Sequence, residues 1–177
     1  PMLTEPLPTT LDVRKAAARG VSIGGVLKVL DLQRFRPLLA SDQGVIQAQF
    51  AFSRDEENRF LVTLTVGVDV QVMCQRCLEP MTTHLASENT LALVGSDEQA
   101  AQLPRHLEPL IVEGEFSNLW DMVEDELILA MPPFSYHDLA DCKQIEAGLS
   151  PPPDDAVGGN RPNPFDVLAQ LKPGSEQ

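Results

Sequence analysis

Fifteen residues constrain this chain more than any others. In 60-FLVTLTVGVDVQVMC-74 every even position from Phe60 to Cys74 is apolar, while Thr63, Thr65, Asp69 and Gln71 occupy odd ones. Successive side chains of a strand point to opposite faces, so this period of two predicts a β-strand with one face buried. Its length exceeds the usual five or six residues, roughly, of a strand. A bend or bulge is therefore expected near Gly67. Upstream, 45-VIQAQFAF-52 places Ile46, Ala48, Phe50 and Phe52 on one parity, and the polar SRDEEN joins the two runs. That arrangement predicts an antiparallel hairpin.

Two further strand candidates follow at 81–94 and 107–113. Helix signals flank the set. Residues 11–19 are rich in helix formers and end at Gly20, Ser96 opens a short helix closed by Pro104, and 117-SNLWDMVEDELILAMP-132 carries an apolar stripe. In the last, Ser117 or Asn118 serves as N-cap and Pro132 as stop. Asp121, Glu124 and Asp125 are expected on its solvated face. The expected fold class is α+β: an antiparallel sheet over about residues 45–113, barrel-like or open, flanked by helices. At 43% hydrophobic the 177 residues are enough for an ordinary core without disulfide staples. The domain is expected to span 1–147. A Pro/Gly/Asp-rich linker at 148–162 and a short docking segment at 163–177 follow, the latter with Phe165, Leu168 and Leu171 on one side.

No run approaches the roughly 18 apolar residues of a membrane span. The N-terminal PMLTEPLPTTLD lacks the basic and apolar regions of a signal peptide. A cytoplasmic location and no membrane partner are therefore expected, and three cysteines, an odd count, fit reduced thiols. The net charge of −13 argues against nucleic-acid binding over the whole surface. Yet residues 1–36 carry six basic groups against three acidic ones. Arg14, Lys15, Arg19, Arg34 and Arg36 are the candidate contacts there, with Arg76 between two cysteines.

Cys74 and Cys77 form a C-x-x-C pair that lets two thiolates reach one ion from a single turn. The distant 137-HDLADC-142 offers His137 and Cys142, and the four would make a Cys3His set of the kind that holds structural zinc. Two other readings stay open. Thiol–disulfide exchange needs a CxxC at a helix N-terminus, whereas this pair follows a strand and precedes Pro80. Alternatively Cys74 is a core residue ending a strand and Cys77 is incidental. No nucleophile elbow, phosphate loop, dinucleotide fingerprint or H-E-x-x-H is present, so nothing nominates an enzyme.

Four stretches in order, CQRCLEP, SDEQAAQLPRHLEPLIVEGEFSNLWDMVEDELILAMP, HDLADC and RPNPFDVLAQLK, resemble the YceD family of bacterial proteins over residues 70–172. The resemblance implies a non-enzymatic role in synthesis, processing or stability of 23S ribosomal RNA. The implied partner is 23S rRNA or a large-subunit assembly intermediate. An acidic adaptor holding a basic ribosomal protein is the second reading, favoured by the overall charge. Relatives carry further cysteines just after the segment matching 137–142. This chain has none there, so a complete ligand set has to include a histidine.

Overall fold

The computed structural model describes residues 2–143, together with Phe165 and Val167. The linker 148–162 and Leu168 and Leu171 lie outside the described residues. Phe165 is exposed. In order the elements are β1 (Thr10–Leu11), α1 (Val13–Arg19), β2 (Ser22–Lys28), β3 (Val45–Arg54), β4 (Phe60–Met73) and β5 (Pro80–Val94). Then come α2 (Asp97–Ala101), β6 (Glu108–Ile111), β7 (Ser117–Asn118) and α3 (Leu119–Ala130). Two short 3-10 turns, Val29–Asp31 and Arg36–Leu38, bridge β2 to β3, the second at Pro37.

The fold is α+β. Strands β2-β3-β4-β5-β6 form one sheet in that order, with β2 and β6 at its edges, so it is open and not a barrel. Neighbours pair antiparallel except at the last step, where β6 joins β5 in parallel after a crossover through α2. The alternation seen from Phe60 sets the faces. Val62, Leu64, Val66, Val68, Val70 and Val72 of β4 are all buried, as are Ile46, Ala48, Phe50 and Phe52 of β3. α1 and α3 cover this face, contributing Val13, Ala16, Ala17, Leu119, Met122, Val123 and Leu127 to one core. No bulge interrupts the β4–β5 pairing at Gly67, while the β3–β4 pairing stops there, at Gln47↔Gly67. The β4–β5 register runs unbroken from Leu61↔Ala92 to Met73↔Pro80, because β5 is as long as β4 and supports it past the point where β3 ends.

Local chemistry fixes the ends. The Asp12 carboxylate accepts from the Lys15 amide to cap α1, and Gly20 closes it in the left-handed region at φ 64°. Ser96 caps α2 and Asn118 caps α3. At the β2 edge the N-terminal segment adds a parallel bridge, Pro6 to Val26. Its close approach requires Gly25, where an added Cβ would lie 2.6 Å from the Leu7 nitrogen.

One expectation about α3 is corrected. Asp121 and Asp125 are exposed, but Glu124 is only 4% exposed. Its carboxylate accepts from the backbone amides of Arg34 and Phe35 and from Arg34 Nε. A charge sits inside there because three donors from the 32–36 turn meet it.

Candidate metal centre

The pair β4–β5 is a hairpin, and its six-residue connection, 74–79, is the CxxC turn. The Leu78 amide donates to the Cys74 carbonyl and the Cys74 amide to the Glu79 carbonyl, closing the turn on itself. Leu78, a non-glycine residue, is held in the left-handed region at φ 57° and is 61% exposed. Neither cysteine begins a helix, so no helix N-terminus acts on either thiol.

After α3 the chain passes Pro132 and Pro133 and runs back along this turn. The Gln75 amide donates to the Ser135 carbonyl, and the Lys143 ammonium pairs with Glu79 at 3.2 Å. His137 and Cys142 thereby reach the hairpin end, the Cys142 amide donating to the Asp138 carbonyl in a turn of its own. Cys74, Cys77, His137 and Cys142 come together with one ligand atom each, all within 4.8 Å of one another. Cys74 Sγ and Cys142 Sγ are 3.8 Å apart, and Cys77 Sγ and His137 Nδ1 3.3 Å. All three sulfurs are buried, and Met81 packs against them. This is a Cys3His cluster at metal-binding distance.

The surroundings prepare these side chains as ligands. His137 Nε2 lies 3.2 Å from the Pro80 carbonyl. A carbonyl only accepts, so the proton sits on Nε2 and the Nδ1 lone pair faces the cysteines, as a second partner commonly fixes a ligating imidazole. Burial raises the Cys74 thiol. The amides of Cys77, His137 and Arg76 outweigh it and hold the thiol down at about 5. At Cys142 burial pushes the thiol up, and the neighbouring Cys77 and Cys74 push in the same direction. Cys74 is thus the more readily ionised of the pair Cys74 and Cys142.

The basic candidates sit on three separate elements. On α1, Arg14 donates to the Val112 carbonyl and Lys15 pairs with Asp12 and Glu115, while Arg19 ends the helix exposed. In the 3-10 region Arg34 is tied to Glu124 and Asp125 and Arg36 to the Leu30 carbonyl. Arg76 stands in the CxxC turn, its guanidinium 5.2 Å above the ring of Tyr136. Tyr136, 48% exposed, was missed from sequence, as was exposed Phe134. The available signal was the chain's single tyrosine placed directly before His137.

Among the described residues no helix is long and apolar enough to cross a membrane. A family model described as large ribosomal RNA subunit accumulation protein YceD matches residues 62–172, which include all four cluster residues. A Haemophilus influenzae protein described by the same words is 34% identical over 170 residues, covering 94% of this chain and 96% of that protein. No solved structure matches the chain. The chain belongs to the YceD family.

Proposed function

We propose that this chain is a non-catalytic factor in large-subunit ribosome biogenesis, acting in the cytoplasm on 23S rRNA accumulation by binding through a zinc-clamped tip. The observation that carries the reading is the junction of the Cys3His cluster with the exposed Arg76–Tyr136 pair.

The residues fit zinc. Bond lengths of about 2.3 Å to sulfur and about 2.0 Å to nitrogen give tetrahedral edges of ~3.8 Å for S···S and ~3.5 Å for S···N. The observed 3.8 Å and 3.3 Å differ from these by a few tenths of an ångström at most. Three thiolates and a neutral imidazole give a closed site with no position for water, so the ion supplies a structural crosslink and no Lewis-acid chemistry. Cys74 and Cys77 would hold it from the hairpin, His137 Nδ1 and Cys142 from the returning strap.

This chain's own residues then do the binding. Arg76 offers a planar cation and Tyr136 and Phe134 offer exposed rings, the combination that stacks on unpaired bases and contacts phosphate. Of the other basic candidates, Lys15 and Arg34 are paired with acidic neighbours and so are less free to meet phosphate. Within the same proposal, 148–162 serves as a tether and Phe165, Leu168 and Leu171 as a docking segment.

The test pairs Arg76→Ala/Tyr136→Ala with Arg14→Glu/Lys15→Glu/Arg19→Glu. Each is assayed for retention of 23S rRNA fragments across salt and for restoring 23S rRNA in cells lacking the wild-type copy. The first variant should keep its thermal transition, lose RNA retention about tenfold or more, and fail to restore accumulation. Full restoration by that variant sinks the tip as the contact. Loss confined to the α1 variant moves the contact to α1.

A further inference from the structure

We propose that the free edge of β6, with the groove it shares with α3, binds an extended Lys/Arg-rich polypeptide segment by strand addition. This stands apart from the RNA contact at the tip.

The backbone comes first. β6 has β5 on one side and no strand on the other among the described residues. The Val112 amide donates to the Val94 carbonyl. By the alternation of a strand, Leu110 and Val112 therefore turn their amides toward β5, and Ile111 and Glu113 turn theirs outward. Pro109 occupies the same outward parity, where a missing N–H costs the sheet nothing. An open edge of this kind is a template for another strand unless something blunts it.

The groove beside the edge gives the side-chain chemistry. Its apolar lining includes Ile111, Phe116 and Met122, and its exposed acidic rim Glu113, Asp121 and Asp125. Phe116 is 60% exposed, an apolar ring left open beside an open strand edge. Asp125 is already paired with Arg34, at 2.7 Å. Glu113 and Asp121 are exposed and carry no ion pair among the described residues.

Those charges choose the occupant. A polyanion such as RNA would meet carboxylates along the rim. A second copy in an isologous contact would set the same rim against itself, a like-charge arrangement. An extended segment alternating basic and apolar side chains satisfies all three features at once. Its backbone bonds the β6 edge, its apolar side chains meet the apolar lining, and its basic ones meet the carboxylates.

The probe is a synthetic dodecapeptide of alternating lysine and valine, added to the isotope-labelled full chain while amide chemical shifts are recorded. Controls are the glutamate–valine peptide and a lysine–valine peptide with prolines at positions of both parities, so that neither of its edges can pair. We expect shifts concentrated at residues 108–125, and at least tenfold weaker binding by both control peptides. Glu113→Lys/Asp121→Lys should weaken the probe about tenfold or more, and Phe116→Ser several-fold. All three positions are exposed, so the thermal transition should hold. Shifts scattered over the acidic surface, equal affinity for the proline peptide, or undiminished binding to the charge-reversed variant would overturn the proposal. So would self-association through these amides, or an RNA oligonucleotide shifting them in the lysine peptide's place.

Discussion

Glu124→Ala tests most sharply how the helical layer is tied to the 32–36 turn. The carboxylate is 4% exposed and serves three donors. Removing it leaves the buried Phe35 amide without an acceptor, at about 2 kcal/mol, while the Arg34 amide, part-buried and open to water, loses about 1 kcal/mol. The guanidinium bond adds little, because Arg34 is half exposed and its ion pair is screened. The sum is about 3 kcal/mol, and at ~3 °C per kcal/mol for a domain of this size the midpoint should fall by ~9 °C. Thermal and urea unfolding followed by circular dichroism measure it. Arg34→Met removes only the half-exposed partner and should cost ~1 kcal/mol or less. Glu124→Gln keeps one oxygen for the amides but turns an NH2 toward Arg34 Nε, and should fall between them. A Glu124→Ala loss below ~0.5 kcal/mol, the range of an ordinary surface change, refutes the reasoning.

Three other outcomes follow from single positions. Leu78→Gly removes a left-handed penalty of about 1–2 kcal/mol against a glycine entropy cost of about 0.5–1 kcal/mol. Since the leucine side chain is 61% exposed, urea unfolding should show a net gain. Gly25→Ala places a Cβ against the Leu7 backbone and should cost about 1–3 kcal/mol, with faster hydrogen exchange at the Leu7 and Val26 amides. Asp12 has its carboxyl held below the usual 3.8, chiefly by the Lys15 amide. A lowered folded value means its stabilisation is present above about pH 4 and lost as pH falls through that lowered value. The lead of the wild type over Asp12→Ala should therefore be constant from pH 7 to 5 and shrink below pH 4. A constant lead down to pH 2 contradicts the cap.

What the sequence revealed and what it concealed divide along contact range. The even parity of β4 is local information, and every even position from Val62 to Val72 is buried as the alternation required. The caps are equally local: Ser96 is where the sequence placed it, and of the two candidates Ser117 and Asn118 the second caps α3. Glu124 misled because its burial is decided by Arg34 and Phe35, some 90 residues away, which no helical periodicity records. The parallel entry of β6 depends on a crossover, and its four residues read the same in either direction. The metal cluster lies between these cases. The CxxC and the H-x4-C were legible as half-sites. Their meeting required the chain after α3 to run back along the β4–β5 turn, a tertiary fact. Tyr136 was invisible as a partner for Arg76 for the same reason.

The central claim is that four side chains from the hairpin and the strap hold one zinc ion that keeps the tip in shape. Its most direct measurement is the metal content of the full chain, purified without added metal and counted by native mass spectrometry and elemental analysis. The account predicts one zinc per chain, lost in Cys77→Ser/Cys142→Ser, with a chelator lowering the thermal transition of the wild type only. No bound zinc, three freely titrating thiols and a transition indifferent to chelator would contradict it.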